Sequence, residues 1–193
     1  MSAVPAASRS RATRTRTPAV LFAIYLVLLA WMVVLRFQLP WEAGQSGRLL
    51  KLVPFVASGG FGASAPREVL ANVLIFVPFG LYLGLLRPTW SRPRAALVFA
   101  GGSLALEAAQ YVLATGSTDV TDIIVNTAGG LIGLAVVRAI GRASRGRALP
   151  ALTRVCAVAT AVAVLAVGLF VASPVQYGPP GERPPRPGPA VVG

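Results

Sequence analysis

Histidine is absent from the 193 residues and cysteine occurs once, as Cys156. The first absence excludes Ser-His-Asp and Cys-His catalysis and zinc sites built on imidazole. The second excludes an intrachain disulfide and any multi-cysteine metal site. Charge is scarce as well: 12% of residues carry one, where a soluble domain has about a quarter. Acids are scarcest, with 6 against 18 basic residues. Hydrophobic residues make up 55% of the chain and the mean hydropathy is +0.69. Too little polar surface is left to cover a globule in water, which excludes a soluble enzyme, a disordered chain and a coiled coil. The bilayer remains.

The net charge of +12 is carried almost wholly by arginine, 17 of the 18 basic residues. On a soluble chain, a pI near 11.6 would suggest nucleic acid. Here the arginines punctuate apolar runs and form no stripe on one face. They read as retention signals beside membrane segments, with anionic lipid headgroups as partners and no role for nucleic acid.

A helix needs about 20 apolar residues to cross the hydrocarbon core. Five stretches qualify: 19–35, 69–86, 95–114, 122–140 and 155–172. The first runs directly into Arg36-Phe37-Gln38. A cleavable signal would have a shorter apolar core and small residues at a cut site, so this stretch reads as an uncleaved anchor. Residues 37–67 are neither polar enough for a linker nor apolar enough to cross. Trp41 and the run Leu49-Leu50-Lys51-Leu52-Val53-Pro54-Phe55 suit the headgroup zone, as an interfacial or re-entrant segment. The expected fold is an all-α integral membrane protein, a bundle of five transmembrane helices within residues 18–172. A disordered basic N-terminus (1–17) and a disordered Pro-rich tail (173–193) are expected to flank it.

Orientation follows from the Lys and Arg in alternate connections. With the N-terminus inside, 12 basic residues fall on the cytoplasmic side and 6 on the other. The sequence therefore predicts a plasma-membrane protein with its N-terminus cytoplasmic and its C-terminus outside.

The polar residues of the middle spans are few. Glu68 and Asn72 open the second span, Glu107 and Gln110 lie in the last third of the third, and Asp119, Asp122 and Asn126 open the fourth. Separations of three and four residues fall on one helical face, so three helices would carry polar stripes at similar depth, toward the outer leaflet. An acidic residue at a helix centre costs about 2.5 to 3.5 kcal/mol to insert. Glu107 should therefore be buried against protein, paired or protonated, with Arg48, Lys51 and Arg67 as candidate counter-charges. Gln110, Asn72 and Asn126 would also serve simply to knit helices together, and Asp119 and Asp122 to cap a helix. Gly80 and Gly84 in the second span and Gly129 and Gly133 in the fourth have the spacing that lets helix backbones approach closely. Pro78 should kink the second span. Cys156 reads as an inert small hydrophobe.

Taken in order, Asn72-Val-Leu-Ile-Phe-Val-Pro78-Phe-Gly80, Glu107-Ala-Ala-Gln110 and Asp119-Val-Thr-Asp122-Ile-Ile-Val-Asn126-Thr-Ala-Gly129-Gly-Leu-Ile-Gly133 resemble the VanZ-like family, with Leu52-Val-Pro54-Phe55 ahead of them. The resemblance covers about residues 49–137. It implies a small bacterial multi-pass membrane protein of the kind associated with low-level teicoplanin resistance. The family positions carried over are Asn72, Pro78, Gly80, Glu107, Gln110, Asp119, Asp122, Asn126, Gly129 and Gly133. Two positions depart from the family pattern. Lys51 stands where members usually have Asn, and Thr115-Gly116-Ser117-Thr118 lacks the Arg that commonly precedes the first Asp. Lys51 is a candidate to replace that counter-charge from another segment.

Three functions compete on this reading. The leading one is an envelope protein whose outward-facing polar pocket (Asn72, Glu107, Gln110, Asp119, Asp122, Asn126) engages a cell-wall precursor, a lipid headgroup or an envelope protein. The second is a membrane enzyme in which the carboxylates bind Mg²⁺ or Mn²⁺ or act as a general acid–base pair on a lipid-linked substrate. The third is a proton-coupled transporter with Glu107 in the relay. The residues themselves imply no cofactor and establish no metal site.

Overall fold

The computed structural model describes residues 6–34, 49–51, 53–56, 65–113 and 117–172. Five helices account for nearly all of them: α1 (Ala6–Val34), α2 (Pro66–Leu86), α3 (Arg92–Leu113), α4 (Val120–Ala143) and α5 (Leu149–Ala172). All five are long and apolar enough to cross a membrane, and the chain is a multi-pass membrane protein. Arg48, Trp41 and the tail 173–193 lie outside the described residues, as does most of the expected interfacial segment 37–67. Of Lys51 only the backbone is described.

Each helix runs past the apolar stretch that announces it, because a helix does not stop where the hydrocarbon does. Prolines mark three of the starts. Pro66 opens α2, and Pro93 and Pro150 are the second residues of α3 and α5, where a missing N–H costs nothing. α2 ends before Arg87-Pro88, since the residue ahead of a proline is pushed out of helical geometry. α1 departs furthest from the sequence reading. It begins at Ala6 and takes in residues assigned above to a disordered N-terminus. Alanine and arginine there are good helix formers and extend a helix already nucleated by the apolar run.

The all-helical reading needs one addition. Two three-residue strands, β1 (Leu49–Lys51) and β2 (Ser117–Asp119), pair in parallel with Leu49 opposite Ser117, Leu50 opposite Thr118 and Lys51 opposite Asp119. The pair ties the segment after α1 to the connection between α3 and α4.

The chain divides into two units, Met1–Thr160 and Ala161–Gly193. In the second, the last part of α5 leaves Val162, Leu165 and Leu169 exposed. The first holds the core. α2 and α4 make the most intimate helix pair, and glycines are the reason. A Cβ on Gly80 would stand 1.9 Å from the Gly130 carbonyl oxygen, and one on Gly129 2.2 Å from that of Val73. Gly84 meets Val137, and Gly133 meets the Val77 carbonyl. Lipid tails are as apolar as leucine, so close packing supplies the attraction here that water would supply elsewhere. Beside this seam, Phe22, Tyr25, Phe76, Phe79, Tyr82 and Phe99 from α1, α2 and α3 form an aromatic cluster. The Tyr82 hydroxyl ends it with a 2.6 Å hydrogen bond to the Thr160 hydroxyl, and Tyr82 also donates to the Cys156 carbonyl at 3.1 Å. Cys156 is buried there as a small apolar group.

Pro78 lies inside α2 and removes the backbone donor that the Leu74 carbonyl would use. The Tyr25 hydroxyl of α1 braces the same turn, donating to the Ile75 oxygen at 2.7 Å. In lipid, a helix turn weakened by proline is tolerated where a neighbouring helix supplies such a polar contact. Tyr25→Phe is therefore expected to cost about 1 kcal/mol of stability, measured by thermal unfolding in detergent. An unchanged midpoint would show that the carbonyl has another donor.

Candidate functional site

The acidic and amide residues of the middle spans gather where the C-terminal ends of α1 and α3 meet the N-terminal ends of α2 and α4. Asp119 caps α4: its side chain accepts from the Thr121 N–H at 2.8 Å. That satisfies one of the backbone donors that a helix start leaves open. The Asp119 N–H in turn donates to Oε2 of Glu107 at 3.1 Å. Glu107, on α3, is 2% exposed and also hydrogen-bonds the side chain of Asp122 on α4. From α2, the Asn72 amide donates to Oδ1 of Asp122 at 2.5 Å. Three helices thus meet in one connected set of carboxyl and amide groups, Asn72–Asp122–Glu107–Asp119.

One turn deeper, the Asn126 amide donates to the Ser103 hydroxyl at 2.9 Å. Asn126 follows Asp122 by four residues and Ser103 precedes Glu107 by four, so the same helix faces continue inward. The amide oxygen of Asn126 is buried without a hydrogen-bond partner. An orphaned acceptor at this depth is costly, and it makes the inner end of the column its least satisfied point.

Other residues predicted to belong here go elsewhere. The Gln110 amide donates to the Val33 carbonyl at 2.8 Å, bracing the end of α1. Glu68 is exposed and folds back on its own helix start, accepting from the Ala65 N–H at 3.3 Å. Arg67 is exposed. The strand register sets Lys51 opposite Asp119, and Arg48 lies outside the described residues. Among the described residues, no three His, Cys, Asp or Glu side chains are grouped so as to hold a metal ion.

Ser103 and Thr121, both fully buried, are parts of the site that the sequence reading passed over. The signals were there: Ser103 shares the face of Glu107, and Thr121 stands between two aspartates. Thr121 has a second task, because its hydroxyl accepts from the Phe55 N–H at 3.0 Å. Phe55 has a φ of 63°, and the Val56 N–H closes back onto the Pro54 carbonyl at 2.8 Å, a strained three-residue turn. Phe55 itself is left exposed. The Pro54-Phe55 turn is thereby fastened to the first turn of α4.

The residues of this cluster fall within one recognised region. The family model described as VanZ/LLP1 matches residues 22–141, more than half of the chain. The chain belongs to the VanZ/LLP1 family. Among curated proteins it is similar to Protein VanZ of Enterococcus faecium, 41% identical over 117 residues that cover 59% of this chain and 69% of that protein. No solved structure matches it. The VanZ/LLP1 region runs from α1 to near the end of α4 and leaves α5 outside. The hydrogen-bonded carboxyl–amide set and the glycine seam are therefore both inside the part that defines the family.

Proposed function

We propose that this VanZ/LLP1 protein is an envelope protein of the bacterial plasma membrane. Its carboxyl–amide cluster faces outward and engages a cell-wall precursor, a lipid headgroup or a partner protein. Through that contact it alters susceptibility to teicoplanin-type glycopeptides. The observation that carries the reading is the joining of α2, α3 and α4 by the side chains of Asn72, Glu107 and Asp122. Amides alone would join helices without the cost of inserting carboxyl groups, so acids kept at this depth favour a role beyond holding the bundle. The outward direction follows the excess of arginine at the opposite end, with the N-terminus cytoplasmic and the C-terminus outside.

Glu107→Gln tests this cleanly. The amide oxygen can accept from the Asp119 N–H and the amide nitrogen can donate to the Asp122 carboxylate, so the fold is kept while the acid is lost. In a strain lacking the gene, the wild-type chain is expected to alter both the teicoplanin inhibitory concentration and the binding of labelled teicoplanin to cells. Glu107→Gln is expected to behave like the deletion. A variant present at normal abundance that restores wild-type susceptibility and binding would sink the proposal.

A further inference from the structure

At the end of the helices opposite the carboxyl cluster, a groove of about 540 Å³ opens between α3 and α4. Its lining includes Arg92 of α3 and Leu131, Ile132, Ala135, Arg138 and Arg142 of α4. Leu131, Ala135, Arg138 and Arg142 are spaced four, three and four residues apart, so they line one face of α4. The eleven helical steps from Leu131 to Arg142 give that face a length of about 16 Å. The groove is thus a strip of apolar wall with a cluster of guanidinium groups at one end.

These arginines have no counter-charge nearby in the sequence. The chain has no Asp or Glu from Arg87 to Leu106, and none from Ile123 to Gly181. Every acid of the described helices lies at or near the other end, in the cluster and at Glu68. Arg138 is positioned by a hydrogen bond from its guanidinium to the Trp90 carbonyl. Arg94 stacks 4.3 Å from the centre of the Trp90 ring, so the same tryptophan steadies the rim. Arg92 and Arg142 are exposed.

We propose that this groove is a binding site for one anionic phospholipid. The phosphate lies among Arg92, Arg138 and Arg142, and one acyl chain lies along Leu131, Ile132 and Ala135. Guanidinium groups recognise phosphate oxygens through paired N–H donors, and basic recesses between membrane helices suit anionic headgroups. A free phosphate ion would meet the arginines and leave the apolar strip uncovered, whereas a lipid covers both. The leaflet follows from the topology proposed above; the binding does not depend on it.

The test uses the purified full-length chain and native mass spectrometry with dioleoyl phosphatidylglycerol or dioleoyl phosphatidylcholine. Phosphatidylglycerol is expected to bind at least about tenfold more tightly, and excess inorganic phosphate is expected not to displace it. Arg92→Gln with Arg142→Gln should abolish that preference. Arg145→Gln with Arg147→Gln, which removes the same charge outside the groove, should preserve it. Ala135→Trp, which fills the apolar strip and leaves the charge alone, should also weaken phosphatidylglycerol binding. Equal binding of the two lipids, or equal losses in the two arginine double variants, would overturn the site. Full binding by Ala135→Trp, or displacement by phosphate, would overturn the acyl-chain placement and with it the lipid.

Discussion

Gly133→Ala is expected to lower the unfolding free energy by about 3 kcal/mol, at the upper end of what overpacking costs. The added Cβ would stand 2.1 Å from the Val77 carbonyl oxygen and 2.9 Å from the Leu81 nitrogen. Both are backbone atoms of α2, so no side chain can turn aside, and α2 and α4 must move apart along their whole seam. Separation also loosens Gly80 against Gly130 and Gly129 against Val73, because one rigid helix pair carries all of these contacts. Gly101→Ala is the control: its new Cβ would meet nothing within 4 Å, and alanine's higher helix propensity should leave the protein unchanged or up to about 1 kcal/mol more stable. Reversible unfolding in detergent micelles measures both. A Gly133→Ala protein as stable as the control would mean that α2 and α4 do not pack at this distance.

The second large effect concerns Glu107. Replacing it with alanine is expected to cost about 3 kcal/mol, from the volume lost and from the Asp119 N–H and Asp122 side chain losing their partner. Glu107→Gln should cost about 1 kcal/mol or less, since both hydrogen bonds can be re-formed with the same shape. This contrast separates stability from function. The alanine variant is expected to fail in both, and the glutamine variant only in the cellular readout. Equal stability of the alanine variant and wild type would show that Glu107 is not the joint between α3 and the start of α4.

How much of this was legible beforehand varies from element to element. The five spans could be read because a run such as Ala19–Leu35 needs no partner to declare itself; the bilayer sets a length and a polarity threshold, and both are local sums. Glu107 could be singled out as needing burial against protein, a partner or a proton for a similar reason, since an acid at that depth in hydrocarbon is costly wherever it occurs. The glycine spacings were readable too, but they did not say that Gly80 would meet Gly130, or Gly129 the Val73 carbonyl. Gln110 shows the limit. Three residues from Glu107 on one helix face, it still turns to the Val33 carbonyl of α1, because partner choice depends on which helices flank α3 and how each is rotated.

The amino-acid sequence by itself determined that this chain carries five stretches long and apolar enough to cross a membrane, and that Arg92, Arg138 and Arg142 stand far along their helices from Glu107 and Asp122. Only the tertiary structure decided that Asn72, Glu107 and Asp122 touch, that Ser103 meets Asn126 and Thr121 meets Phe55, and that β1 pairs with β2 although α2 and α3 lie between them in the chain. Transfer from water to lipid is a property of each segment alone. A hydrogen bond between segments exists only once packing has fixed their separation and rotation, and no local pattern encodes either.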